Sequence, residues 1–270
     1  DFVLGGAKGS LTQIIKNKGN GSFSKPEPIG GSLNYEDMGI LLADTDGDGD
    51  QDLIVVSGGV ESSGTLLQDR LYINDGTGNF SLAPDSYFPR DTDSGGPITT
   101  ADVDRDGDLD IFIGGRVIEK KYPTAPRSRL LINTDGKFKE LDEKLIPALS
   151  TLGLVTGATF TDINDDGWQD LIITREWGPI TYLQNDRGNF TDQTEKSGLN
   201  KIPGWWNGVS AADLDLDGDI DLVASNFGLN TKYHASNDHP VLLYYGKFGT
   251  DEMRLVEAEY ENGQLFPVRG

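Results

Sequence analysis

Nine residues, Asp44-Thr45-Asp46-Gly47-Asp48-Gly49-Asp50-Gln51-Asp52, carry five carboxylates and run directly into the apolar stretch Leu53-Ile54-Val55-Val56. Carboxylates about 5 Å apart at an effective dielectric of about 20 repel by about 3 kcal/mol per pair. Such a cluster is a costly way to begin a strand unless a cation neutralises it. The pattern recurs three times. Asp102, Asp104, Asp106, Gly107, Asp108 and Asp110 precede Ile111-Phe112-Ile113. Asp162, Asn164, Asp166, Gly167, Trp168 and Asp170 precede Leu171-Ile172-Ile173. Asp213, Asp215, Asp217, Gly218, Asp219 and Asp221 precede Leu222-Val223-Ala224.

Aligned by column, positions 1, 3, 5 and 9 are always Asp or Asn, and position 6 is always Gly. Alternate side-chain oxygens around a glycine turn are what a hard cation such as Ca²⁺ requires of a curled loop. Position 7 is Asp, Asp, Trp and Asp, so it contributes a backbone carbonyl, which Trp168 supplies as well as Asp50, Asp108 or Asp219. Position 4, Arg105 in the second loop, is expected to be replaceable. An EF-hand would close with a bidentate Glu at position 12. Here position 12 is Val55, Ile113, Ile173 or Ala224, each inside a strand-like run. Four calcium sites are the expectation, the one with Asn164 the weakest because it has one fewer ligand charge.

The net charge of −21 follows largely from these loops, which hold 19 of the 44 acidic residues. Four bound Ca²⁺ would bring it to −13. A basic nucleic-acid-binding face is disfavoured. There is no cysteine and hence no disulfide, and no apolar run reaches the ~18 residues of a membrane span. Glycine, at 35 of 270 residues, is about twice as frequent as usual, which suits a turn-dense all-β chain.

The elements that must hold the loops also repeat. Before each loop stands a strand of small and apolar residues: 39–43, 97–101, 157–161 and 208–212. After it comes a hairpin signature: Asn17 to Phe23, Asn74 to Phe80, Asn133 to Phe138 and Asn185 to Phe190, each with Gly two residues before Phe. The Asn and Gly are expected to make the tight turn. The loops begin at 44, 102, 162 and 213, a spacing of 51 to 60 residues. Four antiparallel strands per unit of that length describe a β-propeller blade. The chain divides as one array over 1–270: a truncated blade and the start of the next in 1–43, full repeats at 44–101, 102–161 and 162–212, and divergent repeats in 213–270. Asp1, before Phe2-Val3-Leu4-Gly5-Gly6, stands as the ninth position of a loop whose earlier part is missing. Lys247 and Gly249 replace ligands where a fifth loop would begin.

These loops, the Gly-Gly pairs after the second strand and the Asn…Gly-x-Phe hairpins resemble FG-GAP/VCBS repeats, the blade unit of integrin α-like propellers. Finer segments, Tyr122 to Arg127, Trp177-Gly178-Pro179-Ile180, Pro203 to Asn207 and Asn226 to Asn230, are similar to bacterial ASPIC/UnbV-type secreted proteins. The resemblance implies a calcium-binding propeller, usually seven-bladed, of which this chain is an open segment of about five blades. It implies a module at the extracellular or outer-membrane surface of a Gram-negative bacterium, binding a protein or glycan rather than catalysing a reaction.

Two other functions stay open. One is a carbohydrate-binding or carbohydrate-active protein that uses the variable loops, with Trp205-Trp206 as an aromatic platform and Glu176-Trp177 beside it, against packing between blades. The other is a structural subunit of a larger surface assembly. Arg116, Lys120, Lys121, Arg127 and Arg129 crowd one linker, as a solvated loop or a site for an acidic partner. His234 and His239 suggest no metal site, and no nucleophile or nucleotide motif occurs.

Overall fold

The first three apolar runs behind the acidic loops are rich in β-branched residues, and each forms a strand buried on both faces. The computed structural model describes residues 1–228, 230–249 and 251–268. Leu229 and Thr250, inside two of the segments singled out above, lie outside them. The strands group into successive antiparallel sheets. The first holds β1 (Phe2–Leu4), β2 (Gln13–Ile15) and β3 (Glu27–Pro28). The second holds β4 (Asp37–Ala43), β5 (Asp52–Ser57), β6 (Arg70–Asn74) and β7 (Phe80–Leu82). The third is β8 (Gly95–Ala101), β9 (Asp110–Gly115), β10 (Arg129–Thr134) and β11 (Lys137–Glu140). The fourth is β12 (Val155–Thr161), β13 (Asp170–Arg175), β15 (Thr181–Asp186) and β16 (Asn189–Asp192). Between β13 and β15 the short β14 (Gly178–Pro179) pairs with β17 (Pro203–Gly204). Then β18 (Trp206–Ala212) pairs with β19 (Asp221–Asn226), and β20 (Leu242–Lys247), β21 (Met253–Glu261) and β22 (Gln264–Pro267) form a last sheet. The described residues contain no α-helix, only three 3-10 turns.

Alternation along the second strand of each sheet decides which neighbour each side chain meets. Leu53 and Val55 pack with Ile14 toward the first sheet, whereas Ile54 and Val56 pack with Ile111 and Ile113 of the third. Phe112 in turn meets Leu171 and Ile173, and Ile172 faces Leu222 and Ala224. Each of these second strands is therefore a wedge between two neighbours. A side chain buried this way contributes about 1.5–3 kcal/mol. The first strands run side by side along the inner edge and approach so closely that side chains do not fit. A Cβ on Gly39 would lie 2.2 Å from the carbonyl oxygen of Gly96, and one on Gly157 would lie 2.8 Å from Gly208 Cα. A register shift at the start of β4, β8, β12 and β18 bends each strand there.

The architecture is an all-β propeller segment, open rather than closed. On β19 the outward-facing Val223 is 53% exposed, and Phe2 on β1 is equally so. The fifth unit departs from the four-stranded expectation. No pairing joins β19 to β20 among the described residues, because the polar stretch 228–239 intervenes and β20 finds its partner in the nine-residue β21. Lys247 ends β20 and pairs with Met253, at the stretch where the sequence showed a broken ligand set.

The wedge arrangement predicts unequal responses along the array. Ile172→Ala should cost about 2–5 kcal/mol in denaturant unfolding, as a fully buried side chain lost from between two sheets. Val223→Ala should stay within about 0.5 kcal/mol. Equal losses would mean that the outer face of β19 is covered.

Candidate metal centres

The acidic loops join the first strand of a sheet to the second, so all four lie at the same end of the array. Carboxylate oxygens of Asp44, Asp46 and Asp48 lie within 4.8 Å of one another, as do those of Asp102, Asp104 and Asp110, and those of Asp213, Asp215 and Asp221. Among the described residues no ion pair reaches these carboxylates. In the Asp162 loop Asn164 takes the third position, and its amide donates to Asp166 Oδ2 at 2.8 Å. The donor sets are all oxygen, which fits a hard cation.

Backbone N–H groups hold each loop in one conformation. The first Asp accepts from the glycine at position 6 in every loop, at 3.1 Å in the Asp44, Asp102 and Asp213 loops and 2.6 Å in the Asp162 loop. The ninth Asp is the hinge pin. One of its oxygens accepts the N–H of loop position 2: Val103 at 2.9 Å for Asp110, Ile163 at 3.2 Å for Asp170 and Leu214 at 3.0 Å for Asp221. The other accepts an N–H from the third strand: Asn74 to Asp52 at 2.9 Å, Asn133 to Asp110 at 2.9 Å and Asn185 to Asp170 at 2.7 Å. Asp1 accepts from Asn17 at 2.7 Å in the same way, so it occupies the ninth-position place the sequence suggested. Asp221 has no such third strand beside it.

Burial and crowding make four of the loop carboxylates, Asp46, Asp104, Asp110 and Asp170, harder to ionise. Burial pushes the Asp110 carboxyl up to about 7. Burial first, then the neighbouring carboxylates, raises Asp46 and Asp104. Asp170 is raised by burial despite its hydrogen bonds. Asp166 is lowered instead, chiefly by the N–H of Trp168. At position 7, Asp108 Oδ2 accepts the N–H of Asp135, in the hairpin of the same sheet, at 2.8 Å.

The Asp44 and Asp102 loops are each also gripped by the sheet that follows. Asn133 donates its side-chain amide to the carbonyl of Thr45, position 2 of the preceding loop, at 2.8 Å. Asn185 does the same to Val103 at 2.8 Å. The asparagines expected to bend the hairpins therefore clamp neighbouring repeats together. The turns themselves fall to Asp135-Gly136 and Arg187-Gly188, all four with positive φ. Position 4 is also more constrained than expected. Gly47, Arg105, Asp165 and Leu216 all have left-handed φ, between 56° and 76°. Arg105 further stacks its guanidinium 4.3 Å over the Trp168 ring and bonds the carbonyl of Gly167, linking the second loop to the third. Its side chain is not replaceable without losing that link.

The crowded basic linker proves to be mostly internal. Arg116 pairs with Glu176 at 2.5 Å, Arg127 with Glu140, and Arg129 is buried between Asp69 and Asp91, the latter at 2.7 Å. Burial pushes Asp69 up to about 6 although Arg129 opposes it. An acidic partner finds only Lys120, beside Glu119, and Lys121 there. Trp177, Trp205 and Trp206 come together at the opposite end of the array from the loops, lining one cleft.

Sheets wedged in series, each carrying an acidic loop at the same end, define a propeller-type repeat protein. The FG-GAP-like repeat matches residues 1–55, 56–113 and 162–224, more than half of the chain, which therefore belongs to that family. A comparison with curated proteins finds no match.

The clamp makes a test. Asn133→Ala strands the buried Thr45 carbonyl and should cost about 1–3 kcal/mol in equilibrium unfolding. Asn74→Ala should cost less, because that amide reaches only the exposed Gln51 carbonyl. A larger loss at Asn74 would contradict the inter-sheet role.

Proposed function

We propose that the chain is a calcium-stabilised binding or scaffolding module that works outside the cytoplasm, at the surface of a Gram-negative bacterium, with a protein or glycan partner. The observation that carries this reading is the set of carboxylate clusters, three of them with oxygens within 4.8 Å and, among the described residues, no ion pair to neutralise them. The ligands are positions 1, 3, 5 and 9 of the Asp44, Asp102, Asp162 and Asp213 loops, with the carbonyl of position 7. Calcium supplies charge neutralisation and rigidity there, not chemistry on a substrate. Millimolar free calcium outside cells supports the location: extracellular modules bind with Kd of about 10⁻⁴–10⁻³ M. No helix among the described residues is long and apolar enough to cross a membrane. Nineteen of the 44 acidic residues belong to the loops, which removes them as general acids or bases and favours binding over catalysis.

At about 2 mM Ca²⁺ and a Kd of about 0.1 mM, each site adds about 1.8 kcal/mol by mass action. Several such sites approach the ~5–15 kcal/mol of a whole domain. A chelator should therefore lower the thermal midpoint by many degrees, and excess Mg²⁺ should not restore it. A midpoint unchanged by chelator sinks the proposal.

Protons and calcium compete for the same oxygens. With the folded metal-free Asp110 raised to about 7, the folded chain holds that proton more tightly than the unfolded one. Without metal, this carboxyl makes folding more favourable as pH falls from about 7 toward about 4. With calcium the slope reverses, because the ion must displace the proton. The calcium-dependent rise in midpoint should be largest above pH 7 and shrink as the pH drops through it. A rise that is constant from pH 8 to 5.5 would contradict this.

A further inference from the structure

At the end of the array opposite the acidic loops, where second strands finish and first strands begin, a cleft of about 830 Å³ opens between the fourth sheet and the Asn226–Leu243 segment. Three of the four tryptophans of the chain line it. Four aromatic rings follow one another along the cleft. Phe227 lies 5.1 Å from Trp205, Trp205 lies 5.2 Å from Trp177, and Trp177 lies 6.2 Å from Tyr233, centroid to centroid. The central ring is held in place by more than packing. Trp177 has φ of 56°, a conformation an aromatic residue adopts only where its surroundings impose it. Its indole N–H donates to Tyr122 Oη at 2.5 Å. Tyr122 donates to the buried Glu176 at 3.0 Å, and Arg116 pairs with the other Glu176 oxygen. A buried carboxylate and a strained backbone thus fix the orientation of one indole in an open cleft.

The chemistry of the lining narrows the occupant. Its charged residues are Arg175 and Glu176, and both are committed. Arg175 donates to the carbonyls of Leu152 at 2.8 Å and Pro179 at 3.1 Å, and Glu176 is held as described. A phosphate or carboxylate ligand finds no free cation. The rings lean on one another rather than facing across a gap, so they do not enclose a quaternary ammonium group. A polyproline segment needs indole and phenol donors for its carbonyls. Those of Trp177 and Tyr122 are spent, that of Tyr233 is bonded to Glu257 and Trp206 Nε1 is buried, which leaves one indole donor, that of Trp205, among the described aromatic residues of the cleft. What remains is exposed ring face, flanked by neutral amide and hydroxyl groups such as Asn237, Ser236 and Thr151. Apolar ring faces beside neutral hydrogen-bonding groups match a sugar, whose C–H face stacks while its hydroxyls bond at the rim.

We propose that this cleft binds a neutral oligosaccharide, stacked on Trp177 and Trp205. This rests on the reading of the chain as a surface binding module and names the class of its partner. The 270-residue protein in saturating calcium would be applied to a printed array of neutral and acidic glycans, and the strongest soluble hit titrated by tryptophan fluorescence. The expected result is a saturable spectral shift with a neutral glycan, weakened at least tenfold by Trp205→Ala and by Trp177→Phe. Leu82→Ala, exposed on β7 of the second sheet and remote from the cleft, should leave the affinity unchanged. Thermal midpoints of the variants in calcium establish that they are folded, and Trp177→Phe serves if Trp205→Ala is not. An array without neutral-glycan binding, binding that survives both cleft variants, or preference for a decaproline peptide would overturn the proposal. Since the calcium reading is tested by chelator alone, either can fail without the other.

Discussion

Each repeat depends on a carboxylate placed where a carboxylate is least welcome. In the Asp44, Asp102 and Asp162 loops the ninth residue opens the most buried strand of its sheet, and its two oxygens accept N–H groups from two directions. For Asp110 these are Val103, in the loop, and Asn133, in the third strand. One side chain thereby fixes the loop against the sheet and sets the spacing between second and third strands. Burial there costs solvation, which the hydrogen bonds only partly offset, as the raised Asp110 shows. On the proposed reading a cation among the neighbouring carboxylates would supply the rest, making loop, strand and ion one unit.

That unit is completed from outside. Asn133 and Asn185 reach back to the preceding loop, and alternate residues of the second strand pack on sheets to either side. Stability in such an array is largely a sum of nearest-neighbour terms. The Asp44 and Asp102 loops have both the internal tether and the clamp. The Asp213 loop lacks a third strand beside Asp221, and Leu216 within it is 87% exposed. The acidic loops lie at one end of the array and the aromatic cleft at the other.

Much of this was legible because the columns repeat. Four copies of Asp at alternate positions around one glycine announced the loops, and the runs from Leu53, Ile111, Leu171 and Leu222 announced the second strands. The clamp was not legible. Asn133 and Thr45 are 88 residues apart, and beside Gly136 an asparagine looks like a turn former. The left-handed position 4 was hidden because only Gly47 is a glycine there, while Arg105, Asp165 and Leu216 bear the strain. The basic linker misled because charge in a sequence does not reveal its partners: Glu176 lies 60 residues from Arg116. In the fifth unit the strands were visible but not their pairing, which a polar insertion redirected.

The central claim is that ligand geometry, not bulk acidity, captures calcium. Anomalous scattering from calcium-grown crystals at long wavelength counts the ions and places them. The account predicts four, one in each of the Asp44, Asp102, Asp162 and Asp213 loops, each with six or seven oxygen ligands at ~2.3–2.6 Å. An ion at the Lys247 turn, or an empty loop at Asp102, would contradict it.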